Sequence, residues 1–277
     1  SDLRKKMNKK FAVLTGTILM ALAIFIGGCG TNGNSAEKKD LTLAASSFNY
    51  DEVNDKVALD ALKAKGYNVK VIVLEDATTM NEATMNGDID ASLHQHKPWM
   101  DSYNKSKGRD MVMLQPYIHY NVFGMYSDKY KSPSELPQNA KIVIPEDPSN
   151  TARALNLLQQ QGLITLKEGV TLPTLLDIES NPKNLQFTSV NTAQVMKSLP
   201  DVDAVCVAKM FQISNHVPDS TQIAVSTDLT KFAVGFVVAP QNKDAQWTKD
   251  LVEAYTSPAM KAEIAKLFQG SYVTLDN

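Results

Sequence analysis

At 277 residues the chain is long enough for one large or two modest domains, each with its own core. A hydrophobic content of 43% and a charged content of 21% are ordinary for a folded soluble protein. Residues 1–28 hold five Lys/Arg and one acidic residue, which leaves 23 basic and 29 acidic groups elsewhere; this mildly acidic body has no basic face for nucleic-acid phosphates.

The N-terminal stretch carries a sorting signal. Arg4, Lys5, Lys6, Lys9 and Lys10 precede an apolar run from Phe11 to Ile26, which ends in Gly27-Gly28-Cys29. A charged region, a hydrophobic core and small residues before a cleavage point have the order of a secretory signal peptide, with Met7 the expected start. The apolar run is shorter than the about 20 residues a spanning helix needs. Ile26-Gly27-Gly28-Cys29 resembles a bacterial lipobox, in which the Cys becomes the lipidated first residue. Residues 1–28 are thus expected to be a lipoprotein signal peptide. Residues 29–40, rich in Gly, Asn, Ser and charge, are expected to form a flexible tether. With Cys29 lipidated, Cys206 has no intrachain partner and reads as a small buried hydrophobe in the apolar run Ala204–Val207.

Beyond the tether, Leu41–Ala45 reads as a strand and Asp51–Lys65 as one helix stopped by Gly66. Val69–Leu74 has the β-branched, nearly uncharged composition of a buried strand. Thr79–Met85 is a helical turn or two, Ile89–Leu93 a strand, Trp99–Lys107 a helix and Met111–Tyr117 a strand. Val122–Tyr126 follows with almost no intervening helix, where the chain could pass into a second lobe. Lys141–Ile144, the helix Thr151–Gln161, Leu185–Thr188, the helix Thr192–Ser198 and Ala204–Val207 resume the alternation. Gln222–Val225 and Phe232–Ala239 are the last strands, and the helices Asp244–Tyr255 and Pro258–Phe268 end the chain. Strands alternating with helices at this spacing predict an α/β fold with mostly parallel sheets.

Two stretches carry candidate chemistry. Asn86–Trp99 (NGDIDASLHQHKPW) places two imidazoles and an indole on a loop between a strand and a helix N-terminus, where open α/β sheets bind ligands. In Asp147-Pro148-Ser149-Asn150-Thr151-Ala152-Arg153, Ser149 or Asn150 is expected to cap a helix whose first turn carries Arg153. A fork of donors on a first turn suits a carboxylate. His94-x-His96 is also a spacing that could hold a metal, with His119 or His216 completing the set, but it has no fixed carboxylate or thiol partner. The chain has no Gly-rich phosphate loop, Gly-x-Ser-x-Gly, Cys-x-x-Cys or His-Glu-x-x-His. A binding protein without cofactor or metal is expected, not an enzyme.

Gly87-Asp88-Ile89-Asp90-Ala91 through Gln95-His96-Lys97-Pro98-Trp99 resembles the GDIDAN…QHKPYL signature of the NlpA/MetQ lipoproteins, the methionine-binding components of ABC importers. Met125-Tyr126-Ser127 with Glu135-Leu136-Pro137, and Lys141–Pro145 with Asp147–Asn150 and Arg153-Ala154-Leu155, are similar to further motifs of that family. The resemblance runs from about 41 to 273. It implies a type 2 periplasmic-binding-protein-like fold, two α/β lobes joined by two crossing segments with a ligand cleft between them. The crossings fall near Asn121–Tyr126 and Phe232–Ala239, with 41–121 plus 236–277 as lobe one and 122–235 as lobe two. By resemblance Arg153 takes an amino acid's carboxylate, Asn150 supports that loop, and His96 and Trp99 line the pocket wall.

Several positions depart from the family pattern. Ala77 stands where the family has a Tyr, His94 where it has a Phe, and Ala208 and Met210 where it has two Asn that reach the ligand. Loss of those amides removes partners for the ligand's ammonium and alters side-chain selection. The resemblance implies a lipid-anchored solute-binding protein on the outer side of a cell membrane, working with permease and ATPase subunits. Its ligand is methionine, a related amino acid or a short peptide. The alternative is a surface lipoprotein that has lost transport and serves in adhesion or partner binding.

Overall fold

The computed structural model describes residues 37–275. The expected signal peptide, Cys29 and most of the tether lie outside them. In chain order the first strands and helices are Asp40–Ala45 (β1), Tyr50–Val53 (α1), Lys56–Ala64 (α2), Asn68–Val73 (β2), Ala77–Asn86 (α3), Ala91–Leu93 (β3), Lys97–Lys107 (α4) and Val112–Met113 (β4). His119–Asn121 (β5), Phe123–Tyr126 (β6), Lys141–Pro145 (β7), Pro148–Gln160 (α5), Thr165–Leu166 (β8), Ile178–Ser180 (β9), Gln186–Val190 (β10), Thr192–Val195 (α6) and Ala204–Ala208 (β11) follow. The last are Lys209–Ser214 (α7), Gln222–Val225 (β12), Ala233–Val234 (β13), Val237–Val238 (β14), Gln246–Thr256 (α8), Pro258–Phe268 (α9) and Tyr272–Val273 (β15).

Two five-stranded sheets carry the fold, ordered β2-β1-β3-β14-β4 and β10-β7-β11-β6-β12. Each has a parallel half, made by β1, β2 and β3 in one and β7, β10 and β11 in the other. Each also has an antiparallel half, so the sheets are mixed rather than mostly parallel. The antiparallel strands are those beside the crossings. The chain leaves the first sheet through β5 into β6 and returns through β13 into β14. β5 pairs with β13 on one side and β15 on the other, giving a small three-stranded sheet. Both crossings and the C-terminal strand are therefore stitched together by one backbone ladder.

Each large sheet has its own core. Leu41, Leu43, Leu93, Phe236, Trp247 and Tyr255 are buried in the first, where α8 and α9 cover the sheet and the Tyr255 hydroxyl donates to the Val53 carbonyl. Ile142, Ile144, Leu155, Leu158, Met125 and Cys206 are buried in the second. Burial pushes the Cys206 thiol up to about 12, so it behaves as the apolar side chain the sequence suggested.

Local chemistry explains where the elements depart from expectation. The helix expected over 51–65 is broken, because the Asp55 side chain accepts from Val57 N–H and starts α2 afresh. β2 is an edge strand: Val69, Val71 and Ile72 are half-buried against the cores and Val73 is exposed, so none of them is fully buried. The strand expected over 111–117 shortens to β4, and that over 232–239 breaks at Gly235, where a Cβ would lie 3.0 Å from Met113 Cγ and 3.1 Å from the Leu114 carbonyl. The helix over 192–198 tightens into a 3-10 turn that contains Pro200. α5 begins with Pro148 and is capped by Asp147, not by Ser149 or Asn150, so Arg153 stands on its second turn.

Gly124 is in β6, between β11 and β12. A Cβ there would approach the Tyr126 hydroxyl to 2.8 Å and the Ala224 carbonyl to 3.1 Å. Gly124→Ala is expected to destabilise the protein by about 1–3 kcal/mol through overpacking. Thermal unfolding of the two proteins checks this, and an unchanged midpoint would sink it.

Candidate functional site

A cavity of about 230 Å³ opens where strand ends of both large sheets face each other. From the first sheet come Ala77 at the start of α3 and the β3–α4 turn with His94, Gln95, His96 and Trp99. From the second come Asp147 and Asn150 at the start of α5, Thr192 at the start of α6, and Ala208, Met210 and Phe211 at the β11–α7 junction. Asn121 and Tyr272, from the small sheet, complete the wall. Every contributor except those two sits where a strand end meets a helix start, the usual ligand position in α/β sheets.

His96 ties the two sides together. As the N-cap of α4 its Nδ1 accepts from Trp99 N–H at 3.2 Å, which leaves the proton on Nε2. That nitrogen lies 3.0 Å from Asn150 Oδ1, on the opposite side of the cavity. Asn150 Nδ2 donates to both Asp147 carboxylate oxygens, and Thr192 Oγ1 donates to the same carboxylate at 2.7 Å. A continuous hydrogen-bonded chain thus runs from the start of α4 through His96 and Asn150 to the capping carboxylate of α5. Burial, helped by the charge of Arg153, holds the His96 pKa down to about 4 against the pull of Asn150 and Asp147. The ring is neutral at physiological pH, as both of its hydrogen bonds require.

His94 is pushed down to about 4 by burial alone. Its Nε2 lies 3.2 Å from Asn81 Oδ1, an atom that also accepts from Gln95 Nε2 at 2.8 Å. Trp99 meets the His94 ring edge-on and stacks on Tyr103 at 5.7 Å. With Met210, Phe211 and Tyr272, the His94 and Trp99 rings make the wall largely apolar and aromatic.

The structure brings Ala77, His94, His96, Trp99, Asn150 and Ala208 together around this cavity and leaves Arg153 out of its lining. Arg153 is 1% exposed and sits one layer behind Asn121. Its Nη1 donates to Asn121 Oδ1 at 2.9 Å and its Nη2 to the Asn121 carbonyl at 2.7 Å. The guanidinium carbon lies 3.6 Å from the Phe232 ring centroid and 4.9 Å from that of Phe123. Its Nε has no hydrogen-bond partner, the nearest carboxylate being Asp228 at 3.9 Å. Burial pulls its pKa down to about 9, with Asp228 opposing, and it stays charged at neutral pH.

The metal alternative loses its third ligand. His119 lies behind Tyr272, stacked on it at 4.0 Å, with Nε2 2.7 Å from Glu52 Oε1 and both side chains fully buried. His216 lines a separate hollow with Gln212 and Asp219. Lys209 is drawn to Gln222 and Asp219 and does not line the cavity. Sequence reasoning missed Asn121, Thr192, Phe211 and Tyr272 as cavity residues. Tyr272 had no local signal, because its place comes from strand pairing with β5. Asn121 carried one weak signal, a polar residue between Tyr120 and Val122 at a crossing.

The chain matches the family model described as NlpA lipoprotein over residues 41–275. It is 34% identical over 270 residues, 96% of this chain and 97% of the relative, to the D-methionine-binding lipoprotein MetQ of Escherichia coli K12. It is 37% identical over 226 residues, 80% of each chain, to outer membrane lipoprotein 1 of Mannheimia haemolytica. Among solved structures, it superposes on a nutrient binding protein from Burkholderia cenocepacia bound to methionine with a TM-score of 0.76 at 38% identity, covering 84% of this chain and 98% of that one.

Two neutral histidines, His96 buried and His94 half-buried, set a pH dependence. Both pKa values lie below the ordinary 6.5, so between pH 6.5 and 4 the unfolded chain binds protons that the folded chain refuses. Stability is therefore expected to fall as pH drops through that window. His96→Asn, which keeps a capping side chain, is expected to flatten the slope by up to about 1.4 kcal/mol per pH unit. Urea unfolding at intervals from pH 7 to 4 checks this; equal slopes for the two proteins would refute it.

Proposed function

The chain belongs to the NlpA lipoprotein family, and on that premise we propose that it is the lipid-anchored solute-binding subunit of an ABC importer for methionine or a closely related amino acid. The observation that carries the reading is the cavity faced by strand ends of both large sheets and bridged by the His96–Asn150 hydrogen bond. A ligand there touches both sides at once, and the crossings β5 and β13 give it a place about which to draw them together. We assign residues 41–121 with 236–277 to one lobe and 122–235 to the other, following the strands of each sheet.

The site suits a small amphiphilic zwitterion. Trp99, Met210, Phe211 and Tyr272 offer a polarizable apolar wall for a thioether-bearing or similar side chain. The buried Arg153 supplies the positive charge for the carboxylate, with Asn150 ordering the turn beside it. A volume of about 230 Å³ accommodates a single amino acid more readily than a longer peptide. The protein is a carrier that captures its solute without transforming it, held at the extracytoplasmic face of the membrane by Cys29 and delivering to permease and ATPase subunits.

Thermal unfolding of the full chain in detergent, against both methionine enantiomers and a panel of other amino acids, tests the reading. A ligand at 100 times its dissociation constant stabilises a fold by about 2.7 kcal/mol, a shift of roughly 5–10 °C for a protein of this size. Methionine is expected to give that shift, and His96→Ala, which breaks the bridge to Asn150, to weaken binding about tenfold. If no amino acid moves the midpoint, the importer reading fails and the surface-lipoprotein alternative replaces it.

A further inference from the structure

The guanidinium of Arg153 turns both terminal nitrogens towards one residue. Nη1 meets Asn121 Oδ1 at 2.9 Å and Nη2 meets the Asn121 carbonyl at 2.7 Å. Two oxygens side by side against a guanidinium fork reproduce the geometry of a bidentate carboxylate, assembled here from a neutral amide and a peptide group. The two oxygens differ in freedom. The backbone of Asn121 is fixed, since its N–H donates to the Phe232 carbonyl at 3.0 Å and the residue pairs with Tyr272 in the ladder. The side chain is free to turn about its own bonds, and its other end meets neutral partners, Met210 Sδ at 4.0 Å from Nδ2 and the Tyr272 hydroxyl.

Asn121 lines the cavity and Arg153 does not. A carboxylate entering from the cavity reaches the fork only if the Asn121 amide moves aside. We propose that the Asn121 side chain is a displaceable stand-in for the ligand's carboxylate, a positioning residue that keeps the Arg153 fork aligned and yields Nη1 to the ligand. The inference rests on the amino-acid-binding reading above. Aromatic rings on both sides, Phe232 at 3.6 Å and Phe123 at 4.9 Å, hold the guanidinium in place during the exchange. The arrangement also selects. The guanidinium already lends its charge to the bonds with the Asn121 amide, and a carboxylate adds the opposite charge of an ion pair, so it displaces Asn121, whereas an uncharged ester or amide analogue has no such advantage.

Calorimetric titration of L- and D-methionine into the full chain in detergent tests this with three variants. Asn121→Ala removes the competitor and is expected to tighten methionine binding roughly three- to tenfold. The same change is expected to lower the melting temperature of the ligand-free protein, because the buried guanidinium loses an acceptor. A structural role alone would lower both stability and affinity. Asn121→Asp keeps the shape and both contacts but supplies a permanent charged partner, and is expected to weaken binding at least about tenfold. Being isosteric, it carries the test alone where the alanine variant does not fold.

Weaker or unchanged binding by Asn121→Ala overturns the proposal and makes Asn121 a direct ligand contact or a bystander. If Arg153→Ala binds methionine like the wild type, the exchange is overturned while the importer reading stands. If the wild type binds neither enantiomer, the methionine reading falls and the exchange falls with it.

Discussion

Burying one positive charge organises the centre of this molecule. A guanidinium taken out of water costs several kcal/mol unless acceptors and favourable π faces replace its hydration. Arg153 draws those groups from separate parts of the chain: two oxygens of Asn121 in β5, the ring of Phe232 just before β13, the ring of Phe123 in β6, and the more distant carboxylate of Asp228. These are the segments by which the chain passes from one sheet to the other and back. Satisfying the charge therefore positions α5 against both crossings and gives the cavity its floor.

The rest of the cavity follows from helix starts and their caps. Asp76, His96, Asp147 and Asn191 each cap a helix with a side-chain acceptor. All four of those helices place a residue in the cavity wall within their first three positions. His96 does this with an imidazole, which has a second nitrogen to offer once the first is used. The cap of α4 can thus reach Asn150, and an ordinary local device becomes a contact between the two sides. Its neutrality is a condition of that role, because a protonated ring would lose the acceptor that caps the helix.

Much of this was legible in the sequence wherever the determining physics is local. Alternating strands and helices, Gly66 as a stop, the buried character of Cys206 and the loop chemistry of His94, His96 and Trp99 all depend on neighbours in the chain. The missed features depend on partners far away. Nothing near Val69–Val73 says that its strand is paired on only one side, so composition was read as burial. The cap of α5 is Asp147 and not the expected Ser149 or Asn150, because Pro148 is tolerated at a first position and moves the start forward. Arg153 then fell one turn deeper than expected, behind Asn121 instead of at the surface of the cavity. Tyr272 joins the wall through a pairing that closes over most of the chain, and no local pattern announces such a contact.

That last pairing bears on when the protein comes into being as a binder. β5 receives its second neighbour only from β15, and the first core is completed by α8 and α9, so the Tyr255–Val53 contact spans 202 positions. Topologies dominated by such distant contacts fold slowly. A chain still threading through a secretion channel holds neither a finished first core nor a finished pocket. The order of its segments thereby makes ligand binding wait for the last of them.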